Sequence, residues 1–161
     1  MEMARYQKLC KIPAWIWNNR YFILNRFRFN HVGKRVCVFN PLKINGHKNI
    51  YLGNNVAVHD GTWLAAVPLT GNVVKLVLED NVTIGHFNHI YATRSIIIEK
   101  SVLTADKVYI SDNLHSYEDT SLPIMNQPIK QCKDVVIGEG SWIGENVCII
   151  GASIGKHCVI G

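Results

Sequence analysis

The sequence predicts an all-β fold, a parallel β-helix in which about six triangular coils stack into a prism. Three observations predict it: aliphatic residues recur at every sixth position, glycine tends to follow the recurring aliphatic, and the pattern breaks at length only once. At 161 residues and 18.2 kDa the chain has room for one domain, or one with an appendage.

The appendage comes first. Residues 1–31 form a basic aromatic segment, in which Arg5, Lys8, Lys11, Arg20, Arg26 and Arg28 face Glu2 alone, so this stretch holds the whole net charge of +5. It also holds seven of the fifteen aromatics: Tyr6, Trp15, Trp17, Tyr21, Phe22, Phe27 and Phe29. Pro13 suits the start of a short helix. One reading is a helical cap whose apolar side covers the first coil. A second is an interfacial segment, with aromatics at headgroup depth and cations toward anionic lipid. Nothing in it matches a nucleic-acid-binding module, so a nucleic-acid partner is not expected.

From residue 32 to 161 the hexads run Val32, Val38, Ile44, Ile50; then Leu52, Val58, Leu64; then Ile84, Ile90, Ile96; then Ile137, Ile143, Ile149; and finally Ile154, Ile160. Seven of the twelve glycines directly follow one of these leads, where chance gives about three or four. Period six fits neither a helix nor a plain alternating strand. It fits a short strand plus a tight corner, three to a coil, with the lead aliphatics stacked inside. The residue after each lead is expected at a crowded corner with angles that Gly or Asn tolerates. Two register slips, at Val73–Leu78 and Ile149–Ser153, read as local bulges.

Composition narrows the classes further. No run reaches the roughly 18 apolar residues of a spanning helix, and no secretory leader is evident. The five cysteines (Cys10, Cys37, Cys132, Cys148, Cys158) contain no C-x-x-C. They read as reduced, buried, small hydrophobes of a cytoplasmic protein, peripheral at the inner membrane face if the basic segment meets lipid.

The long break, the loop 116–134, opens beside Asp112, Asn113 and His115, carries Tyr117, and ends where Val135-Val-Ile-Gly-Glu-Gly-Ser-Trp-Ile-Gly144 resumes the hexads. A polar excursion from an economical solenoid is where binding faces usually sit. With its repeats, this conjunction resembles the hexapeptide-repeat acyltransferases, and among them the galactoside and maltose acetyltransferases and the O-acetyltransferases of bacterial surface polysaccharides. The resemblance covers about 130 residues. It implies a left-handed winding, a homotrimer, a saccharide acceptor, and acetyl-CoA as co-substrate with no metal required.

Residue by residue, the resemblance makes His115 the general base that takes the proton of a sugar hydroxyl as it attacks the thioester. Trp142 becomes a wall beside the donor's pantetheine arm, and a backbone N–H at Gly144 or Glu145 the oxyanion donor. Ser153 and Lys156 fall on the donor side, Lys156 toward a CoA phosphate. Asp112 and Asn113 are placed to orient the imidazole. Asn88, with its neighbours His86 and His89, is placed to reach the acceptor across a subunit boundary. Because the matching family sequence continues by a further coil, a chain stopping at Gly161 is expected to lack part of the donor site or to be a shortened version. Two other readings stand beside this one. A non-catalytic β-helix scaffold needs no special loop. A γ-type carbonic anhydrase needs three histidines on one zinc, split between neighbouring subunits, with His86, His89 and His115 as candidates.

Overall fold

Short strands separated by tight corners bury their leads only if successive coils lie directly over one another, and the chain does this. The computed structural model describes residues 13–161. Three parallel sheets form the faces of a prism. The first face holds β1 (His31–Val32), β4 (Ile50–Leu52), β7 (Lys75–Leu78), β10 (Ser95–Ile98) and β15 (Val135–Ile137). The second holds β2 (Cys37–Val38), β5 (Ala57–Val58), β8 (Thr83–Ile84), β11 (Leu103–Thr104), β16 (Trp142–Ile143) and β18 (Val159–Ile160). The third holds β3 (Lys43–Asn45), β6 (Trp63–Ala66), β9 (His89–Ala92), β12 (Tyr109–Ser111) and β17 (Cys148–Ile150).

Register identifies the true leads. On the first face Val32, Leu52, Leu78, Ile98 and Ile137 stack in turn, with Ile154 bridged to Ile137 beyond them. On the third, Ile44, Leu64, Ile90, Ile110 and Ile149 do the same. Ile50 and Ile96, which the strict hexad count treats as leads, are fully buried two positions before Leu52 and Ile98. The count slips because the corner from third face to first is irregular. Six residues separate leads across the other two corners, as in Leu52, Val58, Leu64. Eight separate Ile44 from Leu52, and the loop 67–74 enters before Leu78. The slip at Val73–Leu78 is therefore a corner loop with a strand after it, not a bulge. At Thr104 the lead is polar, and its Oγ1 accepts the Gly85 N–H at 3.1 Å.

The corner chemistry also differs from the expectation. Glycine after a lead is required by closeness: a Cβ on Gly33 would lie 2.5 Å from the Gly53 carbonyl oxygen. The left-handed backbone falls instead on the third residue after the lead, at Arg35, Asn55, Asn81, Ser101, Lys107 and Asn146. Asparagine tolerates that region best of the non-glycine residues.

At the N-terminal end, α1 (Ala14–Asn18) and α2 (Arg20–Asn25) lead into a short 3-10 turn, Arg26–Arg28. Buried Asn19 accepts the Val38 N–H at 3.0 Å and donates to the Trp15 carbonyl, pinning both helices to β2. Phe22 and Phe29 pack edge to face in the core, 5.9 Å between centroids. Among the described residues no helix is long and apolar enough to cross a membrane. Arg5, Tyr6, Lys8, Cys10 and Lys11 lie outside the described residues. Of the cysteines within them, none is buried: Cys148 is exposed, and Cys37, Cys132 and Cys158 are half-exposed, all as free thiols. They sit on corners and outward strand positions, where sulfur packs on one side only.

Candidate active site

The irregular corner is where the chain spends its polar residues. After β12 the backbone leaves the solenoid as a hairpin of β13 (Asn113–His115) and β14 (Ile129–Gln131), paired antiparallel with Asn113 opposite Gln131 and His115 opposite Ile129. His115 is thus the exposed last residue of a strand, not the first residue of a free loop. The turn beyond it is internally braced. Buried Gln127 donates to the carbonyls of Asp119 and Leu122, and Glu118 pairs with Lys130, which holds the Glu118 carboxyl down at about 2. Tyr117 is 62% exposed, with the Lys130 ammonium 5.9 Å from its ring centroid.

Asp112 anchors the hairpin base. It is fully buried, and its carboxylate accepts the N–H groups of Thr93 (2.8 Å), Arg94 (2.7 Å) and Ser95 (2.8 Å) and the Asn113 amide (3.1 Å). Burial pushes its pKa up, but the donors from Thr93, Asn113 and Arg94 outweigh burial and hold it below the ordinary carboxylate value. Its carbonyl accepts the Gln131 side-chain amide at 2.7 Å, and Gln131 accepts the Thr70 hydroxyl at 2.6 Å from the preceding corner loop. Asn113 also donates to the Tyr91 carbonyl. Asp112 and Asn113 therefore spend their hydrogen bonds on the scaffold and not on the His115 imidazole: they place the strand that carries it. Gln131 and Thr70 were missed in the sequence because nothing in their spacing marks them; they act only once the two excursions meet.

The predicted donor-side residues lie elsewhere. Trp142 stands on the outer side of the second face, 45% exposed, between Leu103 and Val159. In a triangular prism the third-to-first corner lies opposite the second face, so His115 and Trp142 of one chain are on opposing sides. The Gly144 N–H is already given to the Ile160 carbonyl at 2.6 Å, which removes it as an oxyanion donor. Glu145 pairs with Lys107 at 2.8 Å, Ser153 accepts the Val136 N–H, and Lys156 pairs with Glu139 at 3.1 Å.

Asn88 is buried at the second-to-third corner, donating to the Ala105 carbonyl while its Oδ1 has no partner among the described residues. His89 stacks on Trp63 with centroids 4.3 Å apart, and Tyr91 and Tyr109 complete an aromatic panel on the third face. Burial lowers the His89 pKa. His86 pairs with Asp106 at 3.1 Å. Within one chain His86, His89 and His115 thus occupy a corner, a face and a hairpin. The panel was also missed; its signal is an aromatic or histidine directly before or after a third-face lead.

Comparison with known proteins identifies the family. The chain is 33% identical over 168 residues to a putative lipopolysaccharide biosynthesis O-acetyl transferase, WbbJ, of Escherichia coli K12, covering 100% of this chain and 81% of that protein. The chain belongs to the hexapeptide-repeat acyltransferase family. No protein-family model matches it. A second relative, probable acetyltransferase Rv3034c of Mycobacterium tuberculosis, is 34% identical over 125 residues; the match covers 70% of this chain and 41% of that protein. The fold is shared with AntD, an N-acyltransferase from Bacillus cereus solved with dTDP and 3-hydroxybutyryl-CoA. That comparison has a TM-score of 0.55 at 20% identity over 88% of this chain and 77% of AntD.

Proposed function

We propose that this hexapeptide-repeat protein transfers an acetyl group from acetyl-CoA to a hydroxyl of a saccharide used in surface-polysaccharide synthesis, with His115 as general base. The observation that carries the reading is the built hairpin: a fully buried carboxylate and a glutamine hold the base of a strand that ends on an exposed imidazole. A binding scaffold gains nothing from a buried charge at this point, whereas a base must be held in place to take a proton from the attacking hydroxyl. The likeness to the Escherichia coli relative supports the acetyl group and the saccharide class. With Gly144 engaged, the backbone N–H of Glu145 is the remaining candidate for the oxyanion.

The site is completed by a second copy of the chain in a homotrimer. His115 and Trp142 stand on opposing sides of one prism, so a thioester lying along Trp142 meets the His115 of a neighbour. The aromatic N-terminal cap is proposed to rest on the inner membrane surface. Its support is the exposure of Trp15, Trp17, Leu24 and Phe27, next to a cleft of about 680 Å³ lined by Arg26, Lys34 and Arg35.

The test is subunit complementation. Thiol release from acetyl-CoA is followed over a saccharide panel for the wild type, for His115→Ala and for Trp142→Ala. The two variants are then unfolded together and refolded as mixed oligomers. Activity regained only in the mixture supports the shared site; two inactive variants that stay inactive when mixed contradict it. A wild type with no transfer to any saccharide contradicts the activity itself.

A further inference from the structure

A second polar cluster lies at the corner between the second and third faces, away from the hairpin edge. Here the residue two positions after each lead stacks on its counterpart one coil on, giving Asn40, Asp60, His86, Asp106 and Glu145. His59 joins the column directly after the lead Val58. One ligand atom from each of His59, Asp60 and His86 lies within 4.8 Å of the other two. The two imidazoles lie 4.8 Å apart between centroids, tilted by 43°, and all three residues are half-exposed.

The neighbours orient these groups. Asp106 lies 3.1 Å from Nδ1 of His86 and accepts the His86 backbone N–H at 2.7 Å. An Nδ1–H directed at that carboxylate leaves the lone pair on Nε2, the carboxylate–histidine arrangement that stands behind metal ligands. Asn40 donates to Asp60 at 2.8 Å, which holds that carboxylate at the cluster from the opposite side. Two imidazoles and one carboxylate, with Asp106 behind His86 and Asn40 behind Asp60, match the donor set of a zinc-type ion and not that of magnesium or calcium.

We propose that His59, Asp60 and His86 bind one divalent transition-metal ion, with Asp106 orienting His86. The ion would tie two successive coils together and leave a coordination position open to solvent. It goes beyond acyl transfer and uses neither His115 nor any residue of the hairpin.

The test is a zinc titration of the full chain against a chromophoric chelator, with cobalt as a spectroscopic probe. The expected result is one ion per chain, no competition from magnesium, and a visible cobalt spectrum without thiolate bands. His59→Ala and His86→Ala each weaken binding more than roughly tenfold, and Asp106→Asn weakens it roughly 10- to 100-fold. His115→Ala and His157→Ala bind as the wild type does. Circular dichroism in chelator checks that these surface variants fold. Absence of binding at millimolar zinc, thiolate bands from the cysteines, or affinity unchanged in both His59→Ala and His86→Ala overturns the proposal.

Discussion

The buried carboxylate of Asp112 accepts the backbone N–H of Thr93, one coil below, at 2.8 Å, and through this contact the solenoid grips the base of the hairpin. Removing the carboxylate leaves the N–H groups of Thr93, Arg94 and Ser95 without their acceptor. Asp112→Ala is expected to cost about 3 kcal/mol or more, and Asp112→Asn less. Denaturant midpoints measure both. A loss below about 1 kcal/mol for alanine would contradict the anchoring role.

The same residue sets a pH dependence. Its folded pKa lies below the unfolded value of 3.8. The stability it contributes is therefore complete above about pH 4 and is lost as pH falls through the lowered folded value. Thermal unfolding between about pH 2 and 5 should show an acid limb in the wild type that is shallower in Asp112→Asn. Identical limbs would show that Asp112 is not the group responsible.

How much of this was legible in advance follows from one edge of the prism. The leads Val32, Val38 and Ile44, and likewise Ile84 and Ile90, could be read because two of the three corners keep strict six-residue spacing. Ile98 was displaced by Ile96, and Ile50 was counted beside the true lead Leu52, because the third corner adds residues and a buried aliphatic sits two places earlier in each strand. Thr104 was invisible because it is polar. His115 stands out in the sequence from its place at the break in the repeat. Its support was not, since Asp112 reads as an ordinary turn residue until Thr93 and Gln131 are brought beside it.

Core stacking makes a third prediction. Leu78 and Ile137 are fully buried leads on the first face, each contacted by a lead above and below. Leu78→Ala or Ile137→Ala should each cost about 2–5 kcal/mol, with Val159→Ala, 70% exposed, within about 0.5 kcal/mol. Urea unfolding compares them directly. Equal effects at Leu78 and Val159 would deny the continuous core.

For membrane contact, deleting the cap is uninformative because Phe22 and Phe29 belong to the core. Leu24→Glu and Phe27→Glu keep the fold and reverse the surface chemistry. Sedimentation with anionic vesicles should lose the double variant and retain the wild type, with binding weakened by salt. Equal sedimentation of the two would sink the membrane role.

The central claim is that His115 takes the proton of the acceptor hydroxyl. The most direct measurement is the rate of acetyl transfer by His115→Ala, with acetyl-CoA affinity measured on the same preparation. The account predicts a fall of roughly 100- to 10,000-fold in rate with donor affinity unchanged. An alanine variant that transfers as fast as the wild type would contradict it.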